Sequence, residues 1–513
     1  MNPVDPIDTP VDPIGRSRTV AVVGTGTMGQ GIAQVALVAG HPVRLYDALP
    51  GRAAEAADAI RVRLDRLVEK GRMAAAERDA ARGRLRPAAA LTELADAALV
   101  IEAVLEQLTV KQELFTALEG IVADDCLLAT NTSSLSVTAI AGALIHPGRF
   151  VGLHFFNPAP LLPLVEVVSG HATDETTATR ARATAAAWGK TPVRCADTPG
   201  FIVNRVARPF YAEAFAVHEE HGTDPATIDA ILKESGGFAM GPFELTDLIG
   251  QDVNEAVTRS VWEAFFHSPK FIPSLAQRRL VESRRLGRKS GRGWFSYAEG
   301  ETKPAPHTAE RADAPEYVVV EGDLGPAGAL IGMIREAGIT VRQEDEDKGT
   351  RLLLPSGGQL ALADGQTSAE FRDVVYFDLA LDYQSATRIA LGAAQHVEER
   401  TLKEATGLFQ ALGKQVSVIG DVPGMIVART VAMLVDLALD AAAKRAATRQ
   451  DIDTAMRLGV SYPLGPLEWN EKLGRDWAWE LLGNLHESVP TGRYARSLAL
   501  HQWSYAAPQE DGS

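Results

Sequence analysis

The stretch "RTVAVVGTGTMGQGIAQVALVAGHPVRLYD", Arg18 to Asp47, decides the fold. Its short apolar run, Val20 to Val23, reads as a buried strand. Gly24, Gly26 and Gly29 follow as G-x-G-x-x-G. Ile32, Val35, Ala36 and Ala39 then recur at helical spacing, and Gly40 is the expected stop. "HPVRLYD" reads as a second strand ending in Asp47. This order of elements is half of a dinucleotide-binding unit. Gly24 permits a tight turn, Gly26 lets a pyrophosphate approach the backbone, and Gly29 lets helix and strand pack closely. The helix N-terminus then faces the phosphate charge. Asp47 lies 23 residues after Gly24, where a carboxylate accepts the ribose hydroxyls and repels a 2′-phosphate. NAD rather than NADP is the expected cofactor.

Further strands extend the same sheet. A helical region over about 51–83 leads to "AALVIEAVLE" (Ala97–Glu106), a buried strand running into Glu102 and Glu106. "CLLATNTSSL" (Cys126–Leu135) is another, ending in the polar cluster Asn131 to Ser134. In an open parallel sheet, ligands sit beyond the carboxyl ends of the strands. Asp47, Glu102, Glu106, Ser133 and His154 all follow apolar runs, so they are expected on one rim.

"GLHFFNPAPLLPLVEVVSG" (Gly152–Gly170) places His154 and Glu166 in apolar surroundings, with Asn157 between them. Taken alone, His154 reads equally as a hydrogen-bonded core histidine, and Glu166 as the wet face of a half-buried strand. A base working near neutral pH is best made from histidine. A buried imidazolium in turn needs a carboxylate beside it.

The 513 residues exceed one core, so two to four domains are expected. The formal charge of −15 favours solubility and argues against general nucleic-acid binding. Two cysteines, Cys126 and Cys195, give neither a disulfide framework nor a metal cluster, and suit a reducing cytoplasm. No metal site and no membrane span are expected. The opening "MNPVDPIDTPVDPIGRSR" carries no apolar signal core, and residues 1–17 read as a disordered tail.

Seven motifs now fall in one order: "VVGTGTMGQGIA", "IEAVLEQLTVKQELF", "ATNTSSLSV", "GLHFFNPAPLLPLVEVV", "DTPGFIVNRV", "GPFELTDLIG" and "RRLGRKSGRGWFSY". Over residues 18 to about 298 the chain closely resembles the NAD-dependent L-3-hydroxyacyl-CoA dehydrogenases. The resemblance implies that His154 is the general base for the substrate's 3-hydroxyl and Glu166 its orienting partner. It implies that Ser133 and Asn204 hold the substrate oxygen. Gly24, Gly26, Met28, Gly29, Asp47, Glu106, Lys111, Asn157 and Lys289 are expected on the cofactor side. The residues alone leave other readings open: Ser133 as a helix cap, Asn204 as a satisfied core amide. The run "RRLVESRRLGRKSGR" reads as a solvated helix face; it and residues 61–70 are candidates for the coenzyme A 3′-phosphate.

Beyond a polar linker at 300–314, "DTPGFIVNRVARPFYAEAF" at 197 returns as "DVPGMIVARTVAMLVDLAL" at 421, an offset of 224. "TIDAIL…GPFEL…LIG" returns as "DIDTAM…GPLEW…KLG" at the same offset. Repeats of this length mean duplicated structure. "YVVVEGDLGPAGALIGMIREAGITV" (317–341) echoes the glycine-loop unit, but Gly26 becomes Leu324 and Gly29 becomes Ala327. At the offset of 224, His154 falls on Asp378, Asn157 on Leu381, Glu166 on Ala390 and Asn204 on Ala428. One active site per chain is expected, in the first half.

The fold expected is α/β plus all-α. An N-terminal Rossmann-type doubly wound sheet (18–198) precedes a helical domain (199–299). A truncated Rossmann-like domain (315–420) and a second helical copy (421–513) follow. The second helical copy is expected to dock on the first, as subunits of short family members pair. The resemblance implies NAD-dependent oxidation of a (3S)-3-hydroxyacyl-CoA to the 3-oxoacyl-CoA, in fatty-acid or aromatic-acid degradation, by a cytoplasmic enzyme. The acyl group it implies is short or dicarboxylic, and the partner beyond substrate is a homodimer mate. Two alternatives stay open: a dehydrogenase of a non-CoA 3-hydroxy acid, and a catalytically retired binding protein.

Overall fold

The computed structural model describes residues 11–344 and 350–506. The first ten residues of the expected tail lie outside them. Ile14 is buried, and its amide donates to the Thr184 hydroxyl at 3.0 Å, so the chain is anchored ahead of residue 18. Two compact units form: the described residues up to 203 with 445–459, and 204–444 with the described part of 460–513.

The first unit is built on eight strands: β1 (Thr19–Val23), β2 (Val43–Tyr46), β3 (Leu85–Pro87), β4 (Ala97–Glu102), β5 (Leu127–Thr130), β6 (Phe150–Phe155), β7 (Leu164–Ser169) and β8 (Thr191–Ala196). Their order is β3-β2-β1-β4-β5-β6-β7-β8, and every pair is parallel except β6–β7. Strands β1, β4, β5 and β6 are buried along their whole length, as strands covered on both faces must be. That burial is why they read as unbroken apolar runs. The strand order turns back between β1 and β4, which opens a crevice at their carboxyl ends. The helix Thr27–Val38 follows β1 and starts at the glycine loop.

One segment of this unit comes from far along the chain. The helix Arg449–Val460 belongs to the second helical repeat by sequence, yet its stretch groups with the first sheet. Ala196, at the end of β8, donates its amide to the Ala446 carbonyl at 2.8 Å. A Cβ on Gly459 would stand 2.7 Å from Leu164 and 3.1 Å from Val203, so this helix lies tight against the sheet.

The second unit holds seven strands: β9 (Tyr317–Glu321), β10 (Thr340–Glu344), β11 (Arg351–Leu353), β12 (Gln359–Leu362), β13 (Val374–Phe377), β14 (Arg388–Gly392) and β15 (Gln415–Ile419). Their order is β10-β9-β11-β12-β13-β14-β15. Here β11 runs antiparallel to β9 and to β12, where the first sheet has parallel β4 beside β1. Leu324 and Ala327 are buried, so the altered loop packs inward.

The helical repeat keeps its register. Val203–Val206 and Arg208–Glu219 in the first copy correspond to Val427–Ala443 in the second, and Pro242–Ile249 to Pro466–Leu473. Val427–Ala443 packs on Arg208–Glu219 through a buried charge cluster. Arg429 donates Nε to Glu213 at 2.8 Å and Nη1 to Glu220 at 2.7 Å. Arg493 and the Tyr494 hydroxyl also reach Glu213, at 2.8 and 2.9 Å. Burial works to raise the Glu213 carboxyl, but Arg493 and Arg429 outweigh it and hold it below the usual range. Arg205 pairs with Asp440 at 2.8 Å, and Lys270 with Asp436. The helix Pro225–Glu234 abuts the second sheet, where Leu381 and Thr387 donate amides to Ser235 and Glu234 at 3.1 and 3.2 Å. Each sheet is thus covered by a helix from the other repeat's sequence, the pattern of an exchanged element within one chain.

Candidate active site

The glycine loop is shaped by the atoms it must avoid. Gly24 has φ +95°, and a Cβ there would meet the Ala103 carbonyl at 2.5 Å. A Cβ on Gly29 would stand 1.9 Å from the Gly24 carbonyl, so only glycine lets the helix start this close to β1. A Cβ on Gly26 would meet nothing within 4 Å. That position faces open space at the N-terminus of the Thr27–Val38 helix, and no side chain caps its amides. These amides suit a phosphate oxygen. Met28 is half-buried against the core of the sheet.

Asp47 closes the other side of the loop. Its Oδ2 accepts from the Thr25 amide at 3.0 Å and the Thr25 hydroxyl at 2.5 Å, and Oδ1 accepts from the Leu49 amide at 3.0 Å. Burial works to raise this carboxyl, but the Thr25 hydroxyl and the two amides hold it below its ordinary value. The group is a carboxylate at neutral pH. Open backbone at Gly26, uncapped helix amides and a fixed acid at the end of β2 together fit NAD.

His154 and Glu166 face each other across the antiparallel β6–β7 pair, where they are register partners. His154 Nδ1 lies 2.6 Å from Glu166 Oε2. Glu166 is fully buried, and its Oε1 accepts from the Ile202 and Val203 amides at 3.1 and 2.9 Å. A carboxylate in this position accepts from an Nδ1–H, the tautomer in which Nε2 keeps its lone pair. The Phe156 and Phe201 rings stand 4.4 and 5.8 Å from the imidazole.

The offset of 224 carries this register into the second sheet. Asp378 donates its amide to the Ala390 carbonyl at 3.0 Å, as the counterparts of His154 and Glu166 should face each other. There the single acid does what Glu166 does. Asp378 Oδ2 accepts from the Ile426 and Val427 amides at 3.1 and 2.8 Å, the counterparts of Ile202 and Val203. Phe201 and Met425 both have φ +50°. The second copy keeps the turn and its acidic anchor and has lost the base. Burial pushes the Asp378 carboxyl up to about 6 despite four backbone amides. The folded state therefore holds this proton longer than the unfolded chain does. Its contribution is fully present below about pH 4 and is lost as pH rises through about 6, on the order of 3 kcal/mol. Asp378→Asn, which does not ionise, should lack this slope in urea melts between pH 4 and 7. Identical slopes in both chains would refute the assignment.

A polar brace stands beside the dyad. Lys111 is buried, and its ammonium bridges Glu102 and Glu106 (3.2 Å to Glu106). Glu106 accepts from the Ser133 and Ser134 amides at 3.1 and 3.3 Å and from the Ser134 hydroxyl at 3.0 Å. It thereby holds the loop that carries Ser133. Glu102 accepts from the Thr130 hydroxyl at 2.7 Å, and Asn131 Oδ1 accepts from the Phe155 amide at 2.9 Å. Asn131 thus ties the Ser133 loop to the His154 strand; only its place in a polar cluster at a strand end marked it in the sequence.

Asn157 is exposed in the turn after β6. Asn204 lies in the helix Val203–Val206 and opens the second unit. Lys289, expected near the cofactor, is exposed in the second unit and held by Asp252 at 2.5 Å. Arg278 and Arg288 of the same basic run pair with Glu282 and Glu244. Among the described residues no helix is long and apolar enough to cross a membrane.

Residues 19–198 match the 3-hydroxyacyl-CoA dehydrogenase NAD binding domain, and residues 200–297 and 424–507 both match the C-terminal domain of those enzymes. Residues 353–423 match the 3-hydroxybutyryl-CoA dehydrogenase reduced Rossmann-fold domain. The chain is 44% identical to the 3-hydroxyadipyl-CoA dehydrogenase of Escherichia coli K12 over 486 residues, 94% of this chain and 97% of that one. It is 39% identical to the 3-hydroxybutyryl-CoA dehydrogenase of Mycobacterium tuberculosis over 282 residues, 55% of this chain and 98% of that one. The crystal structure of 3-hydroxybutyryl-CoA dehydrogenase from Escherichia coli K12 superposes with a TM-score of 0.87 at 42% identity, covering 95% of this chain and 98% of that one.

Proposed function

The chain belongs to the 3-hydroxyacyl-CoA dehydrogenase family, and on that premise we propose that it oxidises short (3S)-3-hydroxyacyl-CoA thioesters, dicarboxylic ones included, with NAD. The observation that carries the reading is the His154–Glu166 pair, on register partners at the rim of the sheet that bears the glycine loop.

His154 Nε2 takes the proton of the 3-hydroxyl. Glu166 keeps Nδ1 protonated and stabilises the imidazolium that results. Ser133 and Asn204 hold the substrate oxygen. A nicotinamide dinucleotide held there would supply the acceptor for the C3 hydride. The glycine-loop amides and Asp47 hold the dinucleotide, and the phenylalanine rings around His154 exclude water from the reacting centre. Glu106 and Lys111 act by fixing the Ser133 loop. The second half carries no base and serves as the internal pairing partner of the first helical copy. The short acyl group rests on the kinship with dehydrogenases named for 3-hydroxyadipyl-CoA and 3-hydroxybutyryl-CoA, and a cytoplasmic site of action fits two unpaired, buried cysteines.

NADH formation across thioesters of graded length tests the reading, with free 3-hydroxybutyrate as control. Turnover of the thioesters and not of the free acid is expected; the reverse result would overturn it. Asp47→Ser should raise the KM for NAD about 10-fold or more and narrow the preference over NADP. An unchanged preference would remove Asp47 from the cofactor site.

A further inference from the structure

Among the described residues five arginines are buried: Arg149, Arg205, Arg208, Arg388 and Arg429. Four of them meet a carboxylate, namely Glu119 for Arg149, Asp440 for Arg205, Glu234 for Arg388, and Glu213 with Glu220 for Arg429. Arg208 meets none among the described residues. Its Nη1 donates to the Thr258 hydroxyl at 3.1 Å, and its guanidinium lies 4.9 Å over the Tyr211 ring. Its Nε has no hydrogen-bond partner. The buried Tyr462 hydroxyl also lacks a partner, and both tyrosines lie within electrostatic range of the guanidinium.

A buried cation without an anion is costly, and folding gains nothing from leaving two donors unused beside it. Burial depresses the affinity of Arg208 for its proton, as expected where the compensating negative charge is missing. The group absent from this cluster is a carboxylate. Its place along the chain says which one. Arg208 follows Asn204 by four residues through the adjoining Val203–Val206 and Arg208–Glu219 helices, so about one turn separates them. Arg208 is therefore about one turn from the residue proposed to hold the 3-hydroxyl oxygen.

We propose that Arg208, with Thr258 and the Tyr462 hydroxyl, binds a second carboxylate at the far end of the acyl group, and so selects 3-hydroxydicarboxylyl-CoA thioesters. Arg208 is a specificity-determining residue and takes no part in proton or hydride transfer. The inference rests on the dehydrogenase reading and on Asn204 facing the substrate. Tyr462 comes from the second helical copy, which gives the half without a base a share in substrate choice. Ion pairing makes the recognition strong, because an analogue lacking the carboxylate leaves the buried guanidinium unpaired.

The test compares (3S)-3-hydroxyadipyl-CoA with (3S)-3-hydroxyhexanoyl-CoA, equal in carbon number and differing only in the terminal carboxylate. The wild-type chain should favour the diacid thioester in kcat/KM by ~100-fold or more. Arg208→Met should collapse that ratio, chiefly through KM for the diacid, and Arg208→Lys should restore part of it. Tyr462→Phe should lower it less. A wild-type ratio near one overturns the inference without any variant. So does an Arg208→Met chain that loses both activities in equal proportion, since a purely structural arginine would act that way. If neither thioester yields NADH, the dehydrogenase reading itself falls and takes this site with it.

Discussion

His154→Ala is expected to lower kcat by ~10²–10⁴-fold while leaving the affinity for NAD within a few-fold of wild type. The asymmetry follows from what the side chain touches. His154 contacts Glu166 and two phenylalanine rings, while the glycine loop and Asp47 are organised by Thr25, Ala103 and Leu49. Removing the imidazole therefore takes away the proton acceptor without disturbing the loop. Hydride cannot leave C3 cleanly unless the hydroxyl proton departs with it, so turnover bears the whole loss. Glu166→Gln should behave differently. The amide side chain it introduces can still accept from Ile202 or Val203, but it no longer fixes the proton on Nδ1 or balances an imidazolium. It should cut kcat and also lower the melting temperature, because two amides at the start of the following helix share that carboxylate. A His154→Ala chain that turns over at the wild-type rate would end the assignment.

The two variants also separate what sequence shows from what it hides. Gly24, Gly29 and Asp47 were legible because each answers a local steric or electrostatic demand at fixed spacing. The His154–Glu166 pair was legible through the family motif; the offset of 224 brought out Asp378 and Ala390 as its counterparts, but that these two face each other is seen only in the fold. Other features depend on distant partners and leave no local trace. Lys111 looks like any helix lysine until Glu102 and Glu106 close over it. The Arg449–Val460 helix has the repeat's sequence, and nothing in its periodicity says which sheet it covers. The reversal of β11 is equally silent, since a short apolar strand reads the same in both directions. Arg208 follows the same rule: one more arginine in sequence, singled out only by the carboxylate it lacks.

Residues 315–513, finally, should prove indispensable to the first half despite carrying no base. A fragment ending at residue 314 would lose Arg429, Arg493 and Tyr494 from around Glu213. That would leave a carboxylate that is now fully buried without its cations, on a helix face that packs against Val427–Ala443. Phe210 and Phe238 would lose Tyr462 at 5.7 and 5.0 Å, and Phe238 would lose Trp469 at 5.7 Å. The first sheet would lose the segment that accepts the Ala196 amide and lies against Leu164. Such a fragment has two courses: aggregation through the uncovered apolar face, or pairing with a second fragment across it. Sedimentation should show concentration-dependent association or an insoluble product. Arg429→Met in the full chain isolates the charge term: breaking a buried pair from one side costs about 3–5 kcal/mol. Urea titration should register that loss, and adding Glu213→Leu should not recover it, because that change takes the carboxylate from Arg493 in turn. A fragment that stays monomeric, soluble and as active as the full chain would show that the two helical copies do not need each other.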